Sequence, residues 1–197
     1  MPTGVALHDA RARLLAAAER VLTRDGAGAL TSRAVTEEAG VAKGVLHRHF
    51  ADFDDFLAEV VRVAIAGVEA EIGALDGATG TLVANLTGAL TRVFTPVNLG
   101  LVSLTITRDQ LRTRLRATTP HGIPLLSEAS ARLAAYLDAE RDRGRVNAGA
   151  DTRTLALTLI GTGHLLFAGE LGALPDASAV REVVEAITVG AQPGVRP

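Results

Sequence analysis

The 197-residue sequence contains no cysteine and no tryptophan. The missing cysteine removes disulfide bridges, thiolate zinc sites and cysteine nucleophiles together. Aromatic residues are only 3% of the chain, so a core has to be filled largely by Leu, Val and Ala. Long apolar runs are absent too. The longest stretch free of Asp, Glu, Lys and Arg runs from Thr154 to Gly169 and contains His164 and three glycines. That falls short of the roughly 18–20 apolar residues a membrane span needs. The N-terminus lacks the basic, apolar and small-residue succession of a signal peptide. A cytoplasmic chain with no membrane partner is the expectation.

Charge of one sign is lacking as well. The net charge is −2, which gives no global basic signature. The halves differ mildly: residues 1–50 hold seven Lys/Arg against five Asp/Glu, and the remainder 13 against 17. Lys43 is the only lysine. What is present is apolar substance: 48% hydrophobic residues and a mean hydropathy of +0.26 exclude intrinsic disorder. The length fits one long domain or two short ones.

The hydrophobic pattern is helical nearly throughout, with no hairpin signal and no repeat. Leu14, Leu15, Ala18, Val21 and Leu22 fall at offsets 0, 1, 4, 7 and 8, one helical face. Gly26 and Gly28 stop that helix. Thr31 or Ser32 can cap a second, which ends at Ala39-Gly40. A third covers about 42–49, and Asp52 caps a long fourth. Phe53, Phe56, Leu57, Val60, Val61 and Ala64 make its apolar stripe. Gly73, Gly77 and Gly80 break it. Further helices are expected at about 81–94, 98–117, 124–143, 152–170 and 176–190, followed by a tail at 192–197. The fold class is therefore all-α, with about nine helices. Residues 9–73 form an N-terminal unit whose first three helices carry a helix-turn-helix, and 74–192 form a helical bundle.

Two short helices joined by Ala39-Gly40-Val41 have the helix-turn-helix pattern. Glycine suits the left-handed backbone of the sharp turn. Ala34, Val35, Ala39, Val41 and Leu46 would pack the two helices together, leaving Lys43, His47 and Arg48 outside. The second helix of such a motif enters the major groove, and hydroxyls such as Thr31 and Ser32 suit phosphate contacts. The DNA-facing set is Thr31, Ser32, Arg33, Lys43, Gly44, Val45, His47, Arg48 and His49. His47 and His49 are two residues apart and point to different faces, so no metal site is expected there. No nucleophile–base pair and no Gly-rich phosphate loop supports catalysis. Neither a catalytic residue nor a cofactor is expected.

This stretch resembles the N-terminal DNA-binding domain of the TetR/AcrR family of bacterial transcriptional regulators. The matching residues are Leu30-Thr31-Ser32-Arg33, Ala39-Gly40-Val41, Lys43-Gly44-Val45-Leu46, His49-Phe50 and Phe56-Leu57. The resemblance implies a ligand-responsive regulator, most often a repressor, that binds a palindromic double-stranded operator as a homodimer. Three positions depart from the family pattern. Ala42 stands where Ser or Thr is usual, His47 where Tyr is usual, and Phe53-Asp54-Asp55 where a Lys commonly touches phosphate. They keep open an alternative: a helical small-molecule-binding protein or adaptor with weakened or lost DNA binding.

In the body, Leu155, Leu159, Leu166 and Phe167 with Val180, Val183, Val184 and Ile187 offer apolar surface for a dimer. Gly161 and Gly163 permit close helix approach. An unknown small, largely apolar ligand is expected, with Phe94, Leu101, Leu104, Leu133, Leu137 and Phe167 as lining and His164 as a polar anchor. Each of these can equally pack as core. Arg108, Arg112 and Arg116, with Arg114 beside them, form either a solvated helix face or a second nucleic-acid surface.

Overall fold

The computed structural model describes residues 4–75, 79–169 and 175–192, with side chains from residue 10 onward. Gly77, the end of the expected 152–170 helix at residue 170, and the tail beyond Gln192 lie outside them. The described residues form ten α-helices and no strand: α1 Gly4–Asp25, α2 Ser32–Glu38, α3 Gly44–His49, α4 Phe53–Gly73, α5 Leu82–Val93, α6 Pro96–Thr107, α7 Asp109–Leu115, α8 Leu126–Asp142, α9 Thr152–Phe167 and α10 Ala177–Thr188. Single 3-10 turns occupy Ala27–Ala29 and Val189–Ala191.

The count of nine helices is corrected to ten. The single helix expected at 98–117 is two, because Arg108 has an extended backbone (φ −115°, ψ 99°). Neither glycine nor proline marks that break. Arg108 instead reaches back to α4, donating from Nε to Asp54 Oδ1 at 2.9 Å. At the other end Pro96 opens α6, a place where its missing N–H leaves no bond unmade. Several helix starts follow the capping logic of the sequence. The side chains of Thr31, Thr81, Asp151 and Asp176 each accept the N–H three residues on. α8 starts differently: Leu125 sits at φ 75°, strained for a residue with a Cβ, and its N–H donates to Glu128 Oε2 at 2.7 Å.

The helices pack as two compact units, one comprising residues 1–64 and 96–124, the other 65–95 and 125–197. In the first, α1 packs on α2, α3 and α6, and Leu14, Ala18, Val21, Val35, Leu46, Phe56, Leu57, Leu111 and Leu115 are its buried core. In the second, α8 lies along α9 while α10 packs on α5 and α9, around Leu86, Leu90, Leu133, Tyr136, Leu137, Leu159 and Val184. Among the described residues no single helix is long and apolar enough to cross a membrane.

Candidate nucleic-acid interface

The turn between α2 and α3 is built from backbone bonds that the sequence dictates. Thr31 is extended, and its Oγ1 accepts the Ala34 N–H at 3.1 Å. At the other end of α2, Gly40 adopts φ 63°. Its N–H donates to Glu37 O at 3.1 Å, and the Val41 N–H to Thr36 O at 3.0 Å. This pair of bonds is the Schellman arrangement, which satisfies the last carbonyls of the helix and turns the chain sharply.

α3 then begins without a side-chain cap. Lys43 already has helical angles (φ −49°, ψ −36°), so Ala42 occupies the capping place and has no oxygen to offer. No acid lies in the first turn of α3, and His47, Arg48 and His49 lie in its last. Leu46 is fully buried and anchors the helix. Lys43, Gly44, His47 and Arg48 are exposed, while Val45 and His49 are half-buried. The His49 ring lies 6.4 Å from that of Phe50, and its Nε2 is buried with no hydrogen-bond partner.

Of the candidates at α2, Thr31 and Arg33 are exposed and Ser32 is half-buried. The Ser32 Oγ is buried and unpartnered. Arg33 is paired with Glu37 at 2.7 Å, but both side chains are largely in solvent, where such a pair contributes little. The arginine can swing to another acceptor.

Sequence reasoning missed the clamp that holds this motif. Arg13 Nη2 donates to Ala39 O at 2.6 Å, capping the end of α2 from α1. Arg20 Nε donates to Glu38 Oε1 at 2.6 Å and Arg24 Nη1 to Glu38 Oε2 at 2.8 Å. Bonds from the two guanidiniums hold the Glu38 carboxyl below its ordinary pKa. A signal was present: residues 13, 20 and 24 fall at offsets 0, 7 and 11, one helical stripe. Arg11 does the same for the end of α3, lying 5.6 Å from the centre of the Phe50 ring and pairing with Glu59 at 2.5 Å.

The acids at the start of α4 are occupied within the protein. Asp52 Oδ1 accepts the Asp55 N–H at 2.8 Å, and Asp55 Oδ2 the Ala51 N–H at 3.1 Å. Asp54 pairs with Arg108 at 2.8 Å, and Asp52 with Arg114. Arg108 also lies 6.0 Å from the centre of the Phe53 ring. The stripe expected from Arg108 through Arg116 is therefore divided. Arg108 and Arg114 face α4, and only Arg112 and Arg116 share another surface.

The residues expected to line a ligand site fall in both units. Leu101 and Leu104 are buried in the first unit. Phe94, Leu133, Leu137 and Phe167 are buried in the second, where His164 is half-buried. Phe94 stacks on Phe167 at 5.4 Å and lies 6.2 Å from the His164 ring. Gly163 is required here: a Cβ on it would lie 2.4 Å from the Phe94 ring. Its role is internal packing, whereas Gly161 is exposed, with open space around it. Asn85 Nδ2 donates to the buried Tyr136 hydroxyl at 3.0 Å. Among the described residues no cluster of three or more His, Asp or Glu could hold a metal ion.

Residues 14–60 match the family of bacterial regulatory proteins named for tetR. No curated protein matches the chain as a relative. Several solved structures share its fold. A TetR-family transcriptional regulator from Pectobacterium atrosepticum is 24% identical, with 99% of this chain and 100% of that one covered and a TM-score of 0.66. A transcriptional regulator from Rhodococcus sp. Rha1 is 19% identical, with 95% and 99% covered and a TM-score of 0.67. The multidrug binding protein EbrR, solved with imidazole, is 26% identical, with 90% and 93% covered and a TM-score of 0.60.

Proposed function

We propose that the chain is a TetR-family regulator, a reading that its match over residues 14–60 and its fold support, and that it is a cytoplasmic repressor released from a palindromic operator by a small, largely apolar molecule. Residues 9–73 are the DNA-binding part in this reading, and 74–192 the ligand-binding and dimerisation part. The observation that carries it is α3. Lys43, Gly44, His47 and Arg48 are exposed over a fully buried Leu46, on a helix whose charged residues are all basic. Such a helix suits the major groove, with Thr31, Ser32 and Arg33 serving the phosphates and Val45 and His49 the edges of the contact.

A homodimer supplies the second reading head. On α9, Leu157 is 65% exposed and Leu165 46%, and after α10 Val189 is 52% exposed. Apolar side chains left in solvent on adjoining elements mark an association surface, and a two-fold axis through it matches a palindrome. Phe94, Leu133, Leu137, His164 and Phe167 share the second unit, which supports an apolar site there with one polar anchor. EbrR, of similar fold, is a multidrug binding protein, which supports small-molecule binding here. α4 has residues in both units and is the element that carries the coupling. A ligand that favours recognition helices away from the ~34–36 Å spacing of one DNA turn weakens operator binding, and DNA weakens the ligand in return.

The start of α4, where Phe53, Asp54 and Asp55 stand in place of a phosphate-touching lysine and the acids pair with Arg108 and Arg114, favours the second reading, a ligand-binding protein with weakened DNA contact. A mobility-shift titration against the DNA upstream of the chain's own reading frame separates the two. Operator binding is expected to fall steeply with salt. Lys43→Ala and Arg48→Ala should each weaken it and leave the circular dichroism spectrum unchanged. Parental affinity in both variants would remove α3 as the reading head.

A further inference from the structure

The segment 108–116 carries four arginines, and the structure divides them in two. Arg108 and Arg114 are held by Asp54 and Asp52 at the start of α4. Arg112 and Arg116, four residues apart, line a polar cleft of about 390 Å³ together with Thr119, Pro120, His121 and Pro124. Among the described residues no carboxylate lines it.

Three features prepare this cleft for an anion. The first is its charge balance. Arg112 is paired with Asp109, whereas Arg116 is exposed and has no partner among the described residues. The second is the treatment of the carbonyls that end α7, whose partial negative charge would repel an anion. Leu115 O accepts the Thr118 N–H at 3.0 Å and the Thr119 N–H at 2.8 Å, and also the Thr118 hydroxyl at 3.0 Å. Arg112 O accepts the Arg116 N–H at 3.2 Å. The third is rigidity. Pro120 and Pro124 fix the backbone of the wall, and the chain beyond is pinned where Leu125 donates to Glu128.

We propose that this cleft binds a small dianionic oxyanion group, that of a phosphate monoester or a short dicarboxylate, held by the guanidiniums of Arg112 and Arg116. Guanidinium forks suit such groups because two parallel N–H bonds meet two oxygens. The site lies in the same unit as α3 and is separate in chemistry from the apolar ligand. Its volume of about 390 Å³ is that of a small-molecule site.

The test is calorimetric titration of the full chain with inorganic phosphate and with succinate, ionic strength being held constant with chloride. Saturable binding of at least one is expected. Arg116→Ala should weaken it at least tenfold, and Arg116→Lys should retain part of it. At ten times its Kd the bound anion should raise the melting temperature by about 3–6 °C. Saturation by phosphate alone assigns the monoester class, and saturation by succinate alone the dicarboxylate class. Arg116 is exposed, so both variants should melt like the parent without anion. Binding no stronger than that of chloride, or equal in parent and Arg116→Ala, overturns the proposal. So does an Arg116→Ala variant that loses operator affinity while neither anion binds the parent, which would make these arginines DNA-backbone contacts.

Discussion

The helix-turn-helix and the end of α8 use their charged residues in opposite ways. Around α8, Asp138 accepts from Arg141 at 2.8 Å and from the Thr152 hydroxyl at 2.7 Å. Glu140 is fully buried and accepts from Arg143 at 2.9 Å and from Arg145 at 2.5 and 2.6 Å. In α3, Lys43, His47 and Arg48 are exposed and have no partner among the described residues. Charges that meet inside the chain hold its shape. Charges that a well-anchored helix leaves unmet are available to something outside it. The α1 arginines show both sides of this, since Arg13, Arg20 and Arg24 are used to fix the end of α2 so that α3 is presented at a set angle.

The strongest way to break this contrast is through packing. If shape in the first unit rests on its core and not on the α3 charges, Phe56→Ala should be far more destabilising than Lys43→Ala. Phe56 is fully buried, with its ring 5.1 Å from Phe50 and 5.7 Å from Phe53. Its truncation should cost about 3–5 kcal/mol, whereas Lys43→Ala should stay within about 0.5 kcal/mol. Urea unfolding of the two variants measures both. Similar losses would show that α3 is held by its charges.

Much of that first unit was legible because its signals are local. Thr31, Gly40 and Asp52 fix the helix ends through bonds to residues three to five positions away, and a sequence displays such spacings directly. The break at Arg108 was not legible, because its cause is Asp54, 54 residues distant. Leu125 at φ 75° likewise depends on Glu128 reaching back, a pattern that Leu itself does not announce. Gly163 read as a site of close helix approach, but only the structure gives the neighbour as Phe94. The ligand candidates stay proposals for the same reason: Leu, Phe and His at helical spacing look alike whether they surround a ligand or each other.

A second, smaller effect probes the other side of the contrast. Burial alone would raise the pKa of Glu140, but bonds from Arg145 and Arg143 outweigh it and hold the carboxyl below its ordinary value. The folded state therefore prefers the ionised form. The stabilisation is complete above the usual glutamate pKa of 4.5 and is lost as pH falls through the lower folded value. Glu140→Gln should cost about 1–3 kcal/mol near pH 7. The gap between parent and variant melting temperatures should narrow as the buffer is taken towards acid. An equal gap at neutral and acid pH would mean that the Glu140 charge is not what ties the end of α8.

The smallest effect sharpens the reading of α3 itself. The starts of α2 and α4 are capped by Thr31 and Asp52, but α3 has Ala42 in that place and a lysine, Lys43, in its first turn. A cation at the positive end of a helix is unfavourable by a few tenths of a kcal/mol, so nothing local supports the start of α3 except the packing of Leu46. Ala42→Ser would supply an oxygen to accept the Val45 N–H, which now bonds only to Ala42 O at 2.8 Å. The gain should be about 0.5–1 kcal/mol, or roughly 1–3 °C in melting temperature. Operator affinity should stay within about twofold of the parent, because the exposed charges proposed to meet DNA are already in place on a formed helix. A tenfold tightening would give a different answer: α3 would then be only partly formed in the free protein, and the missing cap, not the arrangement of its charges, would limit binding.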